Sequence, residues 1–399
     1  MSALEVLLGD IRVGLLERFD DEEHVFSFDS GWLAQYDRPV LGQLFEDRRP
    51  RAIETSGLPC WFAHLLPQGL LRRAIARQAG IDEDDGFGLL AALGHDLPGA
   101  VVLRPTGSKV NPNREVEAPR LPPESPLRFS LAGAQWKLSV RQDERGLTIP
   151  VEGESGQKIA KFQDPSFPGL PRIEMATMSW AAATELRLPG FRLAPLSEFE
   201  ALPSFIPSSE GAAFLIDRFD RTEGAGRIHI EDFGQILDVP PGPTQYHGRF
   251  EHIGVVLAAL CPQEDLREFV ERLAFCAICG NTDAHLKNWS LLYPDGRAPR
   301  LSLAYDLVAS VLYVPSIRDE LALELGGSKR FEDVTEESFL PLAKACELPF
   351  DVVRGWARSA AERARSAFRN HAARWPFTEE ERVRLASHQA RVPLGSTGT

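Results

Sequence analysis

Cysteine is scarce in this chain: five in 399 residues, an odd number, at positions 60, 261, 276, 279 and 346. That argues against a disulfide-stapled scaffold and for a reducing, cytoplasmic compartment. Basic residues are in deficit too, with 44 Lys and Arg against 57 Asp and Glu and a formal net charge of −13. Gripping nucleic-acid phosphates as a main task needs a basic footprint, so that class is set aside for the chain as a whole. No stretch approaches the roughly 20 consecutive apolar residues of a membrane span. The opening MSALEVLLGDIRVG places Glu5 and Asp10 where an export signal needs a basic start and an apolar run, so no export is expected. Internal repeats and low-complexity tracts are absent as well. What is present is 43% hydrophobic and 25% charged residues, the composition of a globular chain with large cores.

Short strands are expected at Leu4–Leu8, Ile11–Leu16 and Val25–Phe28, the first two joined across Gly9-Asp10. Helical spacing takes over from Trp61, through Leu65, Leu66, Leu70, Leu71 and Ile75 to a stop at Gly80, and a second helix covers Phe87–Leu93. Residues 1–105 thus read as one small α/β unit. The stretch 105–126 holds six prolines and almost no large apolar side chains, so 106–126 reads as a linker. Strands are expected next at Phe129–Leu131, Lys137–Val140 and Lys158–Phe162, then a helix at Ile173–Leu186 with Met175, Met178 and Ala182 on one side. A strand pair follows, Ala212–Asp217 and Arg227–Ile230. The remainder is mostly helical, at Phe250–Leu260, Leu266–Ile278, Glu337–Ala345 and Val352–His371, interrupted by strands at Trp289–Tyr293 and Leu301–Leu303. A β-rich lobe over 127–240 followed by a helical lobe over 241–399 predicts a cleft between them.

The most informative stretch is CGNTDAHLKNWS, residues 279–290, a loop between an apolar helix and a strand. Asp283 and Asn288 stand five positions apart, the spacing of the proton-accepting Asp and the magnesium-binding Asn in a protein-kinase catalytic loop. Asp306, in Ala304-Tyr305-Asp306-Leu307, suits the metal-binding carboxylate that kinases carry after that loop. Each of the three taken alone is equally well a turn former or a cap; their joint spacing favours the kinase reading. Lys161, on the apolar strand Ile159–Phe162, suits a phosphate-pairing lysine held by Glu174 or Glu185 on the next helix. The small-residue stretch Ser130-Leu131-Ala132-Gly133-Ala134-Gln135-Trp136-Lys137 would let backbone N–H groups approach a phosphate, although a plain hairpin turn explains it as well.

Eight blocks then occur in order: FAHLLPQG, LGHDLPGAV, SLAGAQWKL, the Lys161 strand, LIDRFDR, HIEDFGQIL, GNTDAHLKN and LAYDL. In these the chain resembles HipA-type serine/threonine protein kinases, the toxin halves of bacterial toxin–antitoxin pairs, from about residue 4 to residue 345. The resemblance implies an α+β, two-lobed protein-kinase-like fold with an extra N-terminal α/β subdomain. It implies ATP and Mg²⁺ as cofactors, with Asp283 as catalytic base and Asn288 and Asp306 on the metal. Ala132, Gly133, Ala134, Gln135, Trp136 and Lys137 would form the phosphate-facing loop, and Lys161 would contact phosphates. Asp217, Arg218 and Phe219 would receive the adenine, with His285 and Tyr305 lining the same pocket. Ser130 matches the serine that such kinases autophosphorylate. The implied partners are a protein substrate, of which an aminoacyl-tRNA synthetase is one family example, and a helix-turn-helix antitoxin resembling HipB. Operator DNA would be bound chiefly through that antitoxin, with repression of the pair's own operon; no membrane is implied. Gln68, where many relatives carry glutamate, and the bulky Trp136 depart from the family pattern.

Other features carry less. Cys276-Ala277-Ile278-Cys279 lacks a second ligand pair and reads as core packing. His229-Ile230-Glu231-Asp232 alternates its side chains between two faces, so it reads as interface hydrogen bonding. Val352–Val392 holds nine arginines against four acids and reads as a solvated helix face, or else as a surface for a partner. Two rival functions stay open: a kinase for a small molecule, and a catalytically inactive corepressor scaffold.

Overall fold

The computed structural model describes residues 2–19, 23–106, 136–143, 146–149, 156–200, 202–203, 206, 210–222 and 226–396. The first unit is an antiparallel sheet of β1 (Ser2–Leu8), β2 (Ile11–Arg18), β3 (Glu23–Phe28), β4 (Ala52–Ser56) and β5 (Val101–Pro105), in the order β4-β3-β2-β1-β5. The three expected opening strands are all present. Inward positions such as Val6, Val13, Leu16 and Phe26 are buried. Five helices accompany the sheet: α1 (Ser30–Ala34), α2 (Gln43–Arg48), α3 (Cys60–Ala63), α4 (Gly69–Ala79) and α5 (Gly86–Leu93). The helical run expected from Trp61 is therefore two helices. Pro67, with no N–H to donate, falls in the break, and the freed residues 64–68 turn toward the centre of the molecule.

A second antiparallel sheet, β7-β6-β8-β10-β9, combines β6 (Lys137–Asp143), β7 (Gly146–Thr148), β8 (Lys158–Lys161), β9 (Phe191–Pro195) and β10 (Ala212–Asp217). Across it lies α6 (Leu170–Ala182), shorter than expected, with Glu185 in the left-handed region at φ 67 just beyond its end. Its buried side runs through Ile173, Glu174, Thr177, Trp180 and Ala181, whereas Met175 is half-buried and Ala182 exposed. The helix packs against β10 on one side and the long helix of the second lobe on the other, so its covered face is wider than the stripe read from the sequence. The expected strand at 129–131 and most of the linker lie outside the described residues.

The strand expected to pair with β10 does not. Both edges of β10 are taken, by β8 and β9. The next strand, β11 (His229–Asp232), instead joins β12 (Ser290–Tyr293) and β13 (Arg300–Leu301) in a third antiparallel sheet. Leu303 lies beyond that last strand, which is shorter than expected.

The helical lobe contains α7 (Phe233–Ile236), α8 (Phe250–Leu260), α9 (Gln263–Cys279), α10 (Leu340–Ala345), α11 (Phe350–His371) and α12 (Glu379–Arg391). The helix expected at Glu337–Ala345 begins as a 3₁₀ turn, Glu337–Phe339, before α10 takes over. At its centre α9 is buried without a break from Glu268 to Cys279. Cys276 and Cys279 are accordingly core residues, and burial pushes the Cys276 thiol up to about 12. The alanines of α11 (357, 360, 361, 364 and 367) let it approach closely, and the Trp180 indole donates to Ala364 O at 2.8 Å. Arginines of this region are tied to their own lobe: Arg363 to Glu271 at 3.2 Å, Arg391 to Asp319 and Glu332, and Arg365 to carbonyls of Gln389, Val392 and Leu394. Among the described residues no helix is long and apolar enough to cross a membrane.

Two apolar cores result. One fills the helical lobe and reaches α6 and β10. The other begins inside the first sheet and continues without interruption into Leu138, Val140, Ala160, Phe162 and Leu215 of the second sheet. The N-terminal unit and the second sheet thus bury a common surface, and the cavity opens where both meet the helical lobe.

Candidate active site

A cavity of about 470 Å³ lies between the second sheet and the helical lobe, and residues from all parts of the chain line it. On its sheet wall Lys137 and Lys161 stand opposite each other in the antiparallel register of β6 and β8, so both side chains leave the same face. The Lys161 ammonium bonds both Glu174 of α6 and Asp306. This decides between the two glutamates considered: Glu174 is the partner. Burial alone would lower the Lys161 pKa, and the two carboxylates outweigh it and raise the value above its ordinary range. Burial acts oppositely on Glu174, pushing it up to about 7 against the pull of Lys161. Lys137, buried with weaker support from Asp306, is pushed down to about 8.

The loop after α9 forms the opposite wall. Asp283 is exposed to the cavity and its Oδ1 accepts from the Tyr246 hydroxyl at 2.5 Å. The Asn288 amide donates to Asp283 O at 2.6 Å, which turns its Oδ1 outward. Asn281 ties this loop to the next segment: its Oδ1 accepts from Asp283 N at 2.9 Å and its Nδ2 reaches Asp306 O at 3.5 Å. Asp306 itself adopts φ 54, a left-handed conformation that Asp tolerates better than most residues. The resulting turn swings its carboxylate back to Lys161. His285 caps the short 3₁₀ turn Leu286–Asn288, accepting from Lys287 N at 3.2 Å, and burial lowers its pKa. The Tyr305 hydroxyl donates to Lys287 O at 2.8 Å and lies 2.6 Å from Ser290 Oγ.

Asp217, Arg218 and Phe219 all border the cavity where β10 ends. Asp217 pairs with Lys158, and the Phe219 ring lies 5.6 Å from that of Tyr305. The Arg218 guanidinium points elsewhere: it is 1% exposed, bonded to Asp220 at 2.8 Å and to Asp96 of the N-terminal unit at 3.4 Å. Trp136 does not border the cavity; it packs against the core shared with the N-terminal unit. Ser130, Ala132, Gly133, Ala134 and Gln135 lie outside the described residues.

Several contributors escaped the sequence reading: Tyr246 and Gln245, in the 3₁₀ turn Pro243–Tyr246, and His64, from the break after α3, all line the cavity. Gln68, expected to lie away from the chemistry, lines it too, because the break after α3 turns that segment inward. Asn281, which ties the loop together, escaped as well although it had a usable signal, an Asx-type position two residues before Asp283. The His229–Asp232 segment joins units as expected: Glu231 accepts from Trp61 Nε1 at 2.9 Å and from Tyr293 OH at 2.6 Å, and His229 Nε2 meets Leu41 O at 2.7 Å.

A carboxylate oxygen of Asp306 and the amide oxygen of Asn288 are hard donors, and magnesium needs only one or two such ligands when substrate phosphates and water supply the rest. Among the described residues there is no cluster of three or more His, Cys, Asp or Glu side chains able to hold a metal unaided. Glu174 Oε2 is buried with no hydrogen-bond partner among them. The donor set fits a metal that arrives with a phosphate ligand.

Comparison with known proteins agrees with this geometry. Residues 4–104 match the HipA N-terminal domain family and residues 129–374 the HipA-like C-terminal domain family. A Sinorhizobium fredii protein named "Putative kinase Y4dM" is 35% identical, covering 99% of this chain and 98% of its own. The "Serine/threonine-protein kinase toxin HipA" of Shewanella oneidensis is 25% identical over 78% of this chain and 76% of its own length. Among solved structures, the Shewanella oneidensis complex of HipA, HipB and operator DNA contains a chain with TM-score 0.71 and 21% identity, covering 97% of this chain and 95% of that one. That likeness establishes a shared two-lobed fold.

Proposed function

This chain belongs to the HipA family, and from that premise we propose that it is an ATP- and Mg²⁺-dependent serine/threonine protein kinase acting as a toxin. Support comes above all from one observation: Lys161 bridges Glu174 and Asp306 across the same cavity into which one loop projects Asp283 and Asn288. Lys161 and Lys137 suit phosphate oxygens, while Asn288 and Asp306 suit the metal. Bound Mg-ATP would supply the phosphoryl group and neutralise its oxygens during transfer. Asp283 Oδ2, left open by the Tyr246 bond to Oδ1, would accept the proton of a serine or threonine hydroxyl as its oxygen attacks phosphorus and ADP departs. The protein's part is then mostly positioning, which suits a loose transition state.

The same reading extends to autophosphorylation at Ser130. A phosphoserine there would add about −1.5 to −2 charges just ahead, in sequence, of the residues that the resemblance gives to phosphate binding. It extends also to a HipB-like antitoxin, with which the chain would repress its own operon. The net charge of −13 supports a reading in which that partner makes most of the DNA contacts. A test is the intact mass of the purified chain with Mg-ATP, beside Asp283→Asn, with peptide mapping. The expected result is one added phosphoryl group, on Ser130, in the unsubstituted chain only. A chain that binds no ATP overturns the reading.

A further inference from the structure

The N-terminal unit reaches the active site through residues 64–68, and His64 there is wholly buried, its side chain 0% exposed. Its Nε2 lies 2.6 Å from Val239 O and so carries the proton that the carbonyl accepts. With the imidazole neutral, Nδ1 is left as an acceptor; it faces Lys287 Nζ at 2.9 Å, and Asp232 Oδ1, of the carboxylate that neighbours both groups, lies 3.4 Å from it. Lys287 sits inside the catalytic loop, between Asp283 and Asn288, with its side chain 3% exposed. An ammonium has three protons, and here it bonds His64 Nδ1 and His64 O, the latter at 3.0 Å, and pairs with Asp232 Oδ2 at 3.1 Å. The fit of His64 is close, since a Cβ at Gly234 would stand 2.3 Å from its Cε1. On its backbone side Lys287 O accepts from Tyr305, so the loop is held from both directions.

We propose that His64 is a positioning residue for phosphoryl transfer. Through Lys287 it holds the 283–288 loop in the shape that presents Asp283 and Asn288, so the N-terminal unit completes the active site; this rests on the kinase reading above. Without the Nδ1 acceptor one proton of a buried ammonium loses its partner, and the loop must shift until the charge finds another.

Two isosteres separate positioning from packing. In His64→Asn the amide oxygen takes the place of Nδ1 and keeps the link to Lys287. In His64→Gln the amide takes the place of Nε2, keeping the contact with Val239 and losing the link. In the full-length chain, His64→Gln is expected to lose about 10²-fold in kcat with KM for ATP changed by less than about twofold, whereas His64→Asn keeps most of the rate. Hydrogen exchange of amides 283–288 is expected to quicken in His64→Gln and not in His64→Asn. Lys287→Met, which cuts the same link from the other side, is expected to behave as His64→Gln does. A His64→Gln chain with unaltered rate and loop protection, or a His64→Asn chain as impaired as His64→Gln, overturns the proposal. If the unsubstituted chain transfers no phosphoryl group, the kinase reading falls, and the exchange difference between the two variants still decides whether His64 holds the loop.

Discussion

Asp283 offers two carboxylate oxygens, and Tyr246 occupies one of them at 2.5 Å while its ring lies edge-on to His285 with centroids 4.7 Å apart. In the proposed reaction, that arrangement would select which oxygen meets the acceptor hydroxyl. Tyr246→Phe keeps the ring and removes only the O–H. A hydrogen bond to a charged group contributes about 1.5–3 kcal/mol, so kcat is expected to fall about tenfold or more. Steady-state kinetics at saturating ATP would measure this, and an unchanged kcat would show that Asp283 needs no such hold. At this scale Asp283, Asn288 and Asp306 could be singled out because their spacing along the chain reflects one local architecture, and Lys161 because a lysine on an apolar strand calls for a partner. Tyr246 was not, since it lies 37 residues from its partner and no spacing rule joins them. Arg218 shows the opposite failure: its position beside the cavity followed from the motif, and its side chain turned toward Asp96 and Asp220.

Among elements, α9 governs the loop that follows it. Gly280 ends the helix at φ 71, and Asn281 N, one residue on, bonds back to Cys276 O at 2.9 Å. This left-handed turn aims residues 281–288 into the cavity. In Gly280→Ala the left-handed conformation costs about 1–2 kcal/mol. The new Cβ would also stand 2.4 Å from Val311 Cγ1, a neighbour that must shift. The expected outcome is a lower melting temperature together with slower phosphoryl transfer. A variant that melts lower with full activity would show that the turn serves stability alone. The opening strands, α8 and α11 could be read from periodicity because each buries one well-defined face, and α9 from its long apolar run, which is buried on all sides. The break after α3 and the partner of β11 could not, since the first depends on where residues 64–68 pack and the second on which strand edges are already filled.

At the scale of the whole molecule, buried polar groups join the units. Arg218, Arg221, Asp220 and Asp96 form one such joint, and Glu231 with Trp61, Tyr293 and Gln43 N forms another. Burial pushes Glu231 up to about 7 from its ordinary 4.5. A carboxyl raised on folding binds its proton more tightly in the folded state. Its contribution to stability is therefore complete below about 4.5 and is lost as pH rises through about 7. Glu174 has the same sign, whereas His229, pushed down to about 4 by burial, acts oppositely over a lower range. Between about pH 4.5 and 7 the two glutamates outnumber His229, so the chain is expected to melt at progressively lower temperature as pH rises, and Glu231→Gln to show a shallower decline. Thermal scans across that range would measure both, and equal slopes would place the dependence elsewhere.

The chemistry proposed for this protein is written locally: a carboxylate, an amide and a second carboxylate at fixed intervals, with a lysine on an apolar strand. Their joint spacing was enough to point to the kind of site proposed, because catalytic loops are short and their intervals survive without knowledge of the fold. Which glutamate meets Lys161, which tyrosine holds Asp283, and that His64 lies beneath Lys287 were decided only by tertiary structure. Each of those contacts joins segments far apart in the chain, and it forms because the shared apolar surfaces bring buried polar groups together, where each must find a partner.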